Sequence, residues 1–498
     1  MLLLVSAALA ATPPTDLLAA VEAHLEHGEG CLTPLVNELR ERADELSPEE
    51  RARAARLLTP WKADLLAPVK PLRETPPPPA GTPTEPCFSI GENRITSEHF
   101  AVEWDGNTIS EATAESFLES LEDGYRVEVQ ELGWKAPLQG DDYLMLAYVQ
   151  SGNYQGAYTT VEYCGSGYVP YVVAYAGSFS SRSWAETMAV HEFNHAIQFG
   201  YGFAWEFWWW EATATYIESQ VYPTNDWWAY YVAGYTDNPY LAFNASDQDD
   251  DDIFWHMYGM AIWATYVHEY LGGHDTILAT WEAADSERGT YTFGMQEAFE
   301  EIGLDFESAY VDFIAKNVVM DYEAQNKLPN VDERSRIDEL PASEEVDGNT
   351  RPQGYGQTYT RIEAGAGEGD LLVTFAGEDN VNWSVQLVEF DRTNVLRVVA
   401  ADMVDGAGTV TLPDFGAEDV MLVVSPLTAD DTKYDYSFSA EIVETPEVDT
   451  GDALVDGGGN VDGGGETPGG CGCDTGGTTG AVGVGVLLGL AAVARRRR

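Results

Sequence analysis

Basic residues are scarce in this sequence, which has 26 Lys and Arg against 83 Asp and Glu and a formal net charge of −57. A surface with this charge repels nucleic-acid phosphates and anionic lipid headgroups, so we expect no nucleic-acid partner. Hydrophobic residues make up 44% of the chain, which excludes wholesale disorder. The length of 498 residues predicts two or three folded units rather than one.

The N-terminus has no basic residue before its apolar run, MLLLVSAALA. The run ends in Ala8-Leu9-Ala10, the kind of site at which signal peptides are cleaved. We interpret residues 1–11 as a signal peptide and the protein as exported. The alternative is an ordinary apolar first helix.

Cysteine is also scarce, with five residues in the whole chain. Export would permit disulfides, and Cys87 and Cys164 are the pair that we favour because both lie in the central region. Cys31 then stays free, or it pairs with Cys87 instead. Cys471 and Cys473 lie in a Gly-rich tail, far from any core.

Residues 12–75 have apolar residues at helical spacing and contain the helix start Ser47-Pro-Glu-Glu. The Pro-rich linker at 76–86 follows and is extended by composition. We interpret residues 12–75 as a helical N-terminal segment. It is either a pro-segment that covers a cleft until it is removed or a stabilising subdomain.

Residues 87–330 begin with strand patterns and continue with helical patterns, of which Phe254–Leu271 is the clearest. This order predicts an α+β domain. Residues 331–445 contain short alternating runs between Gly, Asp, Asn and Pro, which predict an all-β sandwich. A flexible Gly- and Asp-rich linker at 446–470 precedes the tail, and no internal repeat stands out.

The strongest chemical signal is the motif His191-Glu-Phe-Asn-His195. Residues four apart lie on one face of a helix, so both imidazoles can bind the same metal ion. Glu192 can then act as the general base that takes a proton from a metal-activated water. A catalytic zinc needs three protein ligands and one open position, so a third ligand is missing from the motif.

Glu211 is the predicted third ligand. It begins the helical stretch EATATYIE, whose small residues let two helices pack closely around an ion. Glu218 lies two turns further on, about 10 Å along the helix axis, so the two carboxylates cannot bind the same ion. The other downstream candidates are Glu206, His256, His268 and Glu269.

The stretch HEFNHAIQ followed by WWWEATATYIE resembles the gluzincins, in which a Glu on a following helix completes the zinc site. More closely, it resembles secreted zinc metalloproteases of myxobacteria and related bacteria, in which HE-x-x-HA-x-Q precedes W-x-EATA. The resemblance implies a zincin-like catalytic domain with one catalytic Zn²⁺. Its metal ligands would be His191, His195 and Glu211, and Glu192 would be the catalytic base.

The same resemblance raises two further expectations. Gluzincins have a Tyr or His that stabilises the oxyanion of the tetrahedral intermediate, and His256 and Tyr258 are the candidates, although an aromatic core helix explains them equally well. Zincin folds have an edge strand that pairs with the substrate backbone, for which we propose Tyr168–Tyr175. The metzincin pattern is absent, because Tyr201 occupies the position of its third histidine.

The tail at 471–498 resembles the MYXO-CTERM sorting signal, with Cys471-Gly-Cys473, an apolar stretch and the basic end Arg495–Arg498. The resemblance implies a sorting protease that acts at Cys471 or Cys473 and display at the cell surface, with the membrane contacted through the tail. The apolar stretch of residues 480–494 measures about 22 Å as a helix, which is short of a ~30 Å hydrocarbon core.

Taken together, these features predict an exported zinc-dependent endopeptidase that acts on a protein or peptide substrate. One alternative is a non-catalytic surface protein with a vestigial or structural zinc site and a binding β-sandwich. Another is a zinc hydrolase that acts on a non-peptide amide or ester. The acidic run DQDDDD at 247–252 offers ligands for Ca²⁺, although a solvated acidic loop accounts for it equally.

Overall fold

The computed structural model describes residues 13–443 apart from residues 61, 63, 68–82, 166, 203–206, 247–249, 284–293 and 347. The predicted signal peptide, the 446–470 linker, the tail at 471–498 and most of the Pro-rich linker lie outside the described residues. Within the described residues, no helix has both the length and the apolar character needed to cross a membrane.

The N-terminal segment is helical, as its apolar spacing predicts, but it also contains a strand that the spacing does not predict. Its elements are α1 (Pro14–His27), β1 (Glu29–Cys31), α2 (Thr33–Glu41) and α3 (Pro48–Leu58). The helix start at Ser47 is a capping box, in which Ser47 accepts from Glu50 N and Glu50 accepts from Ser47 N. A three-residue strand is too short to give a period-two pattern, which explains why β1 was not predicted.

A six-stranded sheet forms the centre of the next region. Its further strands are β2 (Asn93–Thr96), β3 (Phe100–Trp104), β4 (Met145–Gln150), β5 (Gln155–Cys164) and β6 (Gly167–Tyr175). The order across the sheet is β1-β5-β6-β4-β3-β2. Strands β3, β4 and β6 are mutually parallel, β5 is antiparallel to β6, and β1 pairs in parallel with β5.

The predicted edge strand is wrong. Tyr168–Tyr175 falls within β6, which lies between β5 and β4 in the interior of the sheet. The outer strands of this region are β2 at one end and β5 at the other, and β1 pairs with the free side of β5. The period of a strand shows which face is buried but not which strand lies beside it, because strand pairing joins residues that are distant in sequence.

Ten helices of the described chain follow the N-terminal segment. They are α4 (Glu111–Tyr125), α5 (Arg182–Gln198), α6 (Phe207–Val221), α7 (Trp227–Tyr231), α8 (Ala233–Thr236), α9 (Asp251–Gly259), α10 (Ala261–Tyr270), α11 (His274–Ala283), α12 (Gly294–Glu301) and α13 (Phe306–Lys316).

The single helix predicted over Phe254–Leu271 is two helices, α9 and α10. The break follows Gly259, whose backbone lies so close to Tyr235 that an added Cβ would be 2.3 Å from Tyr235 N.

The sheet is buried on both faces. Alternate side chains, such as Tyr171 and Val173, pack in one core with α1, α2 and α3. Their neighbours, such as Val172 and Ala174, pack in a second core with α4, α5 and α6. The N-terminal segment is thus the cover of one whole sheet face.

Two five-stranded sheets enclose a separate apolar core after the helices. The strands are β7 (Ser335–Ile337), β8 (Ala342–Val346), β9 (Thr358–Ile362), β10 (Gly369–Gly377), β11 (Trp383–Phe390), β12 (Val395–Ala400), β13 (Asp402–Val404), β14 (Ala407–Phe415), β15 (Asp419–Pro426) and β16 (Tyr436–Val443). The sheet orders are β13-β14-β10-β16-β8 and β12-β11-β15-β9-β7. The mixed α+β class that the sequence predicts is confirmed.

Two cysteines of the central region form a disulfide. It joins Cys87 to Cys164 at the end of β5, as the sequence suggested, over a separation of 77 residues. Cys31 is a free, buried thiol. Of the two possibilities left open for Cys31, the structure has the unpaired one.

Candidate metal centre

Helix α5 carries both histidines of the predicted site. Ser181 caps its start by accepting a hydrogen bond from Trp184 N, and residues 187–198 are buried throughout. The ring centroids of His191 and His195 are 4.8 Å apart. This spacing is what two residues four apart on one helical face produce.

Helix α6 packs against α5 and presents the carboxylate of Glu211 to both rings. Glu211 Oε2 lies 3.1 Å from His191 Nε2, and Glu211 Oε1 lies 3.4 Å from His195 Nε2. Ala212 and Ala214 are fully buried beside it. Thr213, the small residue between them, contacts α5, because its hydroxyl lies 3.0 Å from Gln198 Nε2.

The geometry of these atoms fits a metal ion. Ligand atoms held 2.0–2.1 Å from a tetrahedral zinc are separated by about 3.3–3.4 Å. His195 Nε2 and Glu211 Oε1 are at 3.4 Å, and neither has a hydrogen-bond partner although both are fully buried. Buried polar atoms without a partner are rare in folded proteins, and a bound cation would satisfy both.

A fourth group, Cys31, completes the cluster. The ligand atoms of Cys31, His191, His195 and Glu211 all lie within 4.8 Å of one another, and all four residues are buried. This thiol, nitrogen and carboxylate set could hold a metal ion. No spacing rule predicts Cys31 as a ligand, because it lies in β1, on the other side of the Pro-rich linker.

The two imidazoles are oriented by partners on their other ring nitrogens. Glu218 Oε1 accepts from His191 Nδ1 at 2.9 Å, and Gln198 Oε1 accepts from His195 Nδ1 at 2.7 Å. Gln198 is itself held by the hydroxyl of Thr213, at 3.0 Å from its Nε2. Both rings therefore turn Nε2 toward the cluster, the arrangement by which such partners fix a ligand histidine.

Glu218 contributes to the site, although its spacing from Glu211 predicts only that it does not bind the same ion. Glu218 is outside the four-residue cluster, in agreement with its distance along the helix from Glu211. It nevertheless contacts the site through His191. Helical spacing predicts which residues can bind the ion, but it does not predict which residues orient the ligand histidines by hydrogen bonding.

Glu192 lies beside the cluster and is only 1% exposed. Its Oε2 accepts hydrogen bonds from Thr159 Oγ1 on β5, at 2.6 Å, and from Thr33 Oγ1 on α2, at 3.0 Å. Two hydroxyl groups from different parts of the chain therefore fix the predicted base.

Of the two predicted oxyanion candidates, only Tyr258 reaches the site. Its ring stacks on His191, with centroids 5.8 Å apart and planes at 16°. Its hydroxyl lies 3.3 Å from both the backbone N and the backbone O of Cys31. His256 is buried beside Tyr235, and burial lowers its pKa to about 4, so it is a neutral core residue.

The remaining candidates for a third ligand are elsewhere. His268 contacts the hydroxyl of Tyr216, and Glu269 accepts from the backbone of Glu323. Glu206 lies outside the described residues, as do residues 247–249 of the acidic run. Asp250 of that run caps helix α9 through Asp252 N and Ile253 N.

Burial and neighbouring groups shift the pKa values of the cluster residues in different directions. Burial opposes protonation of His191, but its hydrogen bonds to Glu211 and Glu218 outweigh burial and raise its pKa to about 10. Burial likewise opposes ionisation of Glu211, but the two adjacent histidines outweigh burial and lower its pKa to about 2. Burial and the carboxylates of Glu192 and Glu211 raise the pKa of the Cys31 thiol well above its usual range.

Residues 88–393 match the model of a family of unknown function (DUF6055), and the chain belongs to this family. The matched range includes both histidines, Glu192, Glu211 and Tyr258, whereas Cys31 precedes it. No curated protein matches this chain.

Two solved structures have a low structural similarity to this chain. One is the pre-peptidase C-terminal domain of collagenase from Bacillus anthracis, 14% identical, which covers 23% of this chain and all of that domain with a TM-score of 0.18. The other is a family GH115 4-O-methyl-alpha-glucuronidase with specificity for decorated arabinogalactans, 10% identical, which covers 52% of this chain and 39% of that one with a TM-score of 0.14. Similarity this low assigns no function.

Replacing Glu218 with Ala should weaken metal binding about 10–100-fold, because His191 loses the partner that orients it. Competition titration with a chromophoric chelator measures the change. The matched control is Glu103→Gln, a buried glutamate of β3 that accepts from Ser89 and Arg94 and is not part of the metal cluster. An unchanged metal affinity in Glu218→Ala would rule out the orienting role.

Added Zn²⁺ should raise the Tm of the metal-free chain, because binding satisfies His195 Nε2 and Glu211 Oε1. At a free metal concentration about 100-fold above Kd, the stabilisation would be about 2.7 kcal/mol. Glu211→Ala should remove most of this Tm shift. Scanning calorimetry with and without zinc tests it, and a full shift in Glu211→Ala would show that the metal binds elsewhere.

Proposed function

We propose that this protein is a zinc-dependent endopeptidase with a zincin-like catalytic domain. The observation that carries the proposal is the convergence of His191, His195 and Glu211 on one buried point, next to the unligated carboxylate of Glu192. A purely structural site has no use for an adjacent base.

Zinc, when bound by these residues, supplies a Lewis acid that polarises a carbonyl and makes a water more acidic. Glu192 takes the proton of the attacking water and later delivers it to the leaving amine. The hydroxyl of Thr159 holds Glu192 in place for both transfers. The acyl–nitrogen bond breaks, and water supplies the hydroxyl of the new carboxyl group and the proton of the amine.

Tyr258 is suited to donate a hydrogen bond to the developing oxyanion. Its ring is fixed against His191, and its hydroxyl already donates to a peptide carbonyl, that of Cys31. A preorganised donor at such a position contributes to catalysis because it needs no reorganisation during the reaction.

A peptide substrate is favoured by the edge of β5. This strand passes Glu192 at Thr159, and its outer side already pairs with one extended segment, β1. An edge that accepts an added strand can also accept substrate backbone.

The second candidate is a non-catalytic protein with a structural zinc site. The observation that favours it is the fourth ligand atom of Cys31, because structural sites have four protein ligands and catalytic sites keep one position open. In that case the two-sheet region at 331–445 would be the binding part.

Export and display at the cell surface remain proposals that rest on the termini. The apolar start at residues 1–11 and the tail with Cys471 and Cys473 support them. Processing at either cysteine by a sorting protease, and contact with the membrane through the tail, are part of the same proposal.

The test is hydrolysis of denatured casein and of small esters by the zinc-loaded chain. Because Cys31 supplies a fourth ligand atom, the assay includes both the natural chain and Cys31→Ala. Glu192→Gln is introduced into the natural chain or into Cys31→Ala, whichever of the two hydrolyses casein. It should reduce casein hydrolysis by about 10²–10⁴-fold, and the zinc content should not change. Glu103→Gln is the matched control and should retain activity, because its partners Ser89 and Arg94 lie outside the cluster.

Retained casein hydrolysis in Glu192→Gln would reject the role of this residue as the base. Hydrolysis of esters alone would identify a non-peptide hydrolase. If no substrate is cleaved in either background, the peptidase proposal fails and the structural site takes its place.

Tyr258→Phe should lower kcat about 10²–10³-fold with a smaller effect on KM, because the lost hydroxyl acts on the transition state. Zinc content should not change. Steady-state kinetics in the active background measures both constants. The control is Tyr266→Phe, whose hydroxyl contacts Asp312 away from the cluster, and equal kinetics for both variants would exclude Tyr258 from catalysis.

A further inference from the structure

The N-terminal segment reaches the metal cluster, Glu192 and Tyr258. Cys31 Sγ lies within the metal cluster, Thr33 Oγ1 donates to Glu192 Oε2, and the backbone of Cys31 bonds the hydroxyl of Tyr258. These contacts come from residues 31–33 alone. Residues 31–33 are separated from these partners by 159 or more residues in sequence.

We propose that this segment keeps the enzyme latent, with the Cys31 thiolate as the fourth metal ligand and β1 in the place of substrate backbone. This inference rests on the proposed peptidase function. A catalytic zinc needs one open position, and a cysteine sulfur in that position excludes both the attacking water and the substrate carbonyl. On binding, the thiol releases its proton to solvent; on opening, the sulfur takes a proton back.

Strand β1 is fitted closely to the edge of β5. Gly30 pairs with Gly156, and an added Cβ on Gly156 would lie 1.8 Å from the carbonyl oxygen of Gly30. Thr159 N donates to Thr33 Oγ1 at 2.7 Å, and Asn37 Nδ2 donates to Thr159 O at 2.9 Å. A bound substrate strand would need this same edge.

The rest of the segment is anchored to the sheet. Arg40 bonds the hydroxyl of Tyr171 and the backbone of Val161, each at 3.0 Å, and Lys62 pairs with Glu162. Deleting the whole segment would expose the apolar sheet face that α1, α2 and α3 cover. Substituting Cys31 in the full chain removes the thiol from the metal cluster and leaves this packing in place.

The experiment compares the full natural chain with Cys31→Ala, Cys31→Ser and the control Thr59→Ala. Thr59 is equally buried in the same segment but is not part of the metal cluster. Each chain is loaded with Co²⁺ to detect the thiolate-to-cobalt charge-transfer absorption. Alkylation of the thiol is timed with zinc bound and after chelation, and casein hydrolysis is measured with zinc bound.

The natural chain and Thr59→Ala should show the charge-transfer band, and both Cys31 variants should lack it. Zinc should protect the Cys31 thiol from alkylation, and chelation should expose it. If the fourth position is closed in about 90% of natural chains, Cys31→Ala should hydrolyse casein about 10-fold faster.

A natural chain without the band would overturn the inference whatever its activity. A band together with equal hydrolysis by the natural chain and Cys31→Ala would reject latency while leaving the peptidase proposal intact. A band that is lost in Cys31→Ala without hydrolysis by any chain would reject both, and would identify Cys31 as a ligand of a structural site.

Discussion

The burial of the Glu211 carboxylate is the constraint on which the rest of the site depends. A buried carboxylate is strongly unfavourable unless an opposite charge and hydrogen bonds compensate it. Here the compensation comes from two histidines on one face of α5, and each histidine is held by a further group, Glu218 or Gln198. The packing of α5 against α6 brings these groups together.

The same constraint accounts for the composition of the cluster. One divalent cation with one thiolate, one carboxylate and two neutral imidazoles has no net charge, so a metal with all four ligands is compatible with a dry interior. Three ligands without Cys31 leave one positive charge, which a water or substrate oxygen would then face. Binding of the Cys31 thiolate to the ion would therefore change the net charge of the site as well as the coordination number of the metal.

The sequence predicted the parts of the site that are local. The spacing of His191 and His195, and the presence of Glu211 on the next helix, follow from helical periodicity, which is a short-range property. The helix nevertheless begins at Phe207, one turn before the predicted start at Glu211. The order of strands in the sheet could not be predicted in this way. Strands β5 and β6 have similar apolar patterns, and the periodicity of a strand does not specify which strand pairs with it. Cys31 could not be predicted either, because strands β2 to β6 all lie between it and its partners in sequence, and no spacing rule spans such a distance.

The position of β1 on the outside of the sheet also bears on the order in which the molecule assembles. Its contacts with β5 close loops of more than a hundred residues, whereas α5 and α6 are neighbours in the chain. Contacts of low sequence separation form first, since the entropy of loop closure is smaller for them. A newly made chain would therefore pass through a stage in which the two histidines and Glu211 are assembled while Cys31 is still in water. If the cluster binds a metal ion, this order of folding would let the ion reach the histidines and Glu211 before Cys31 packs beside them.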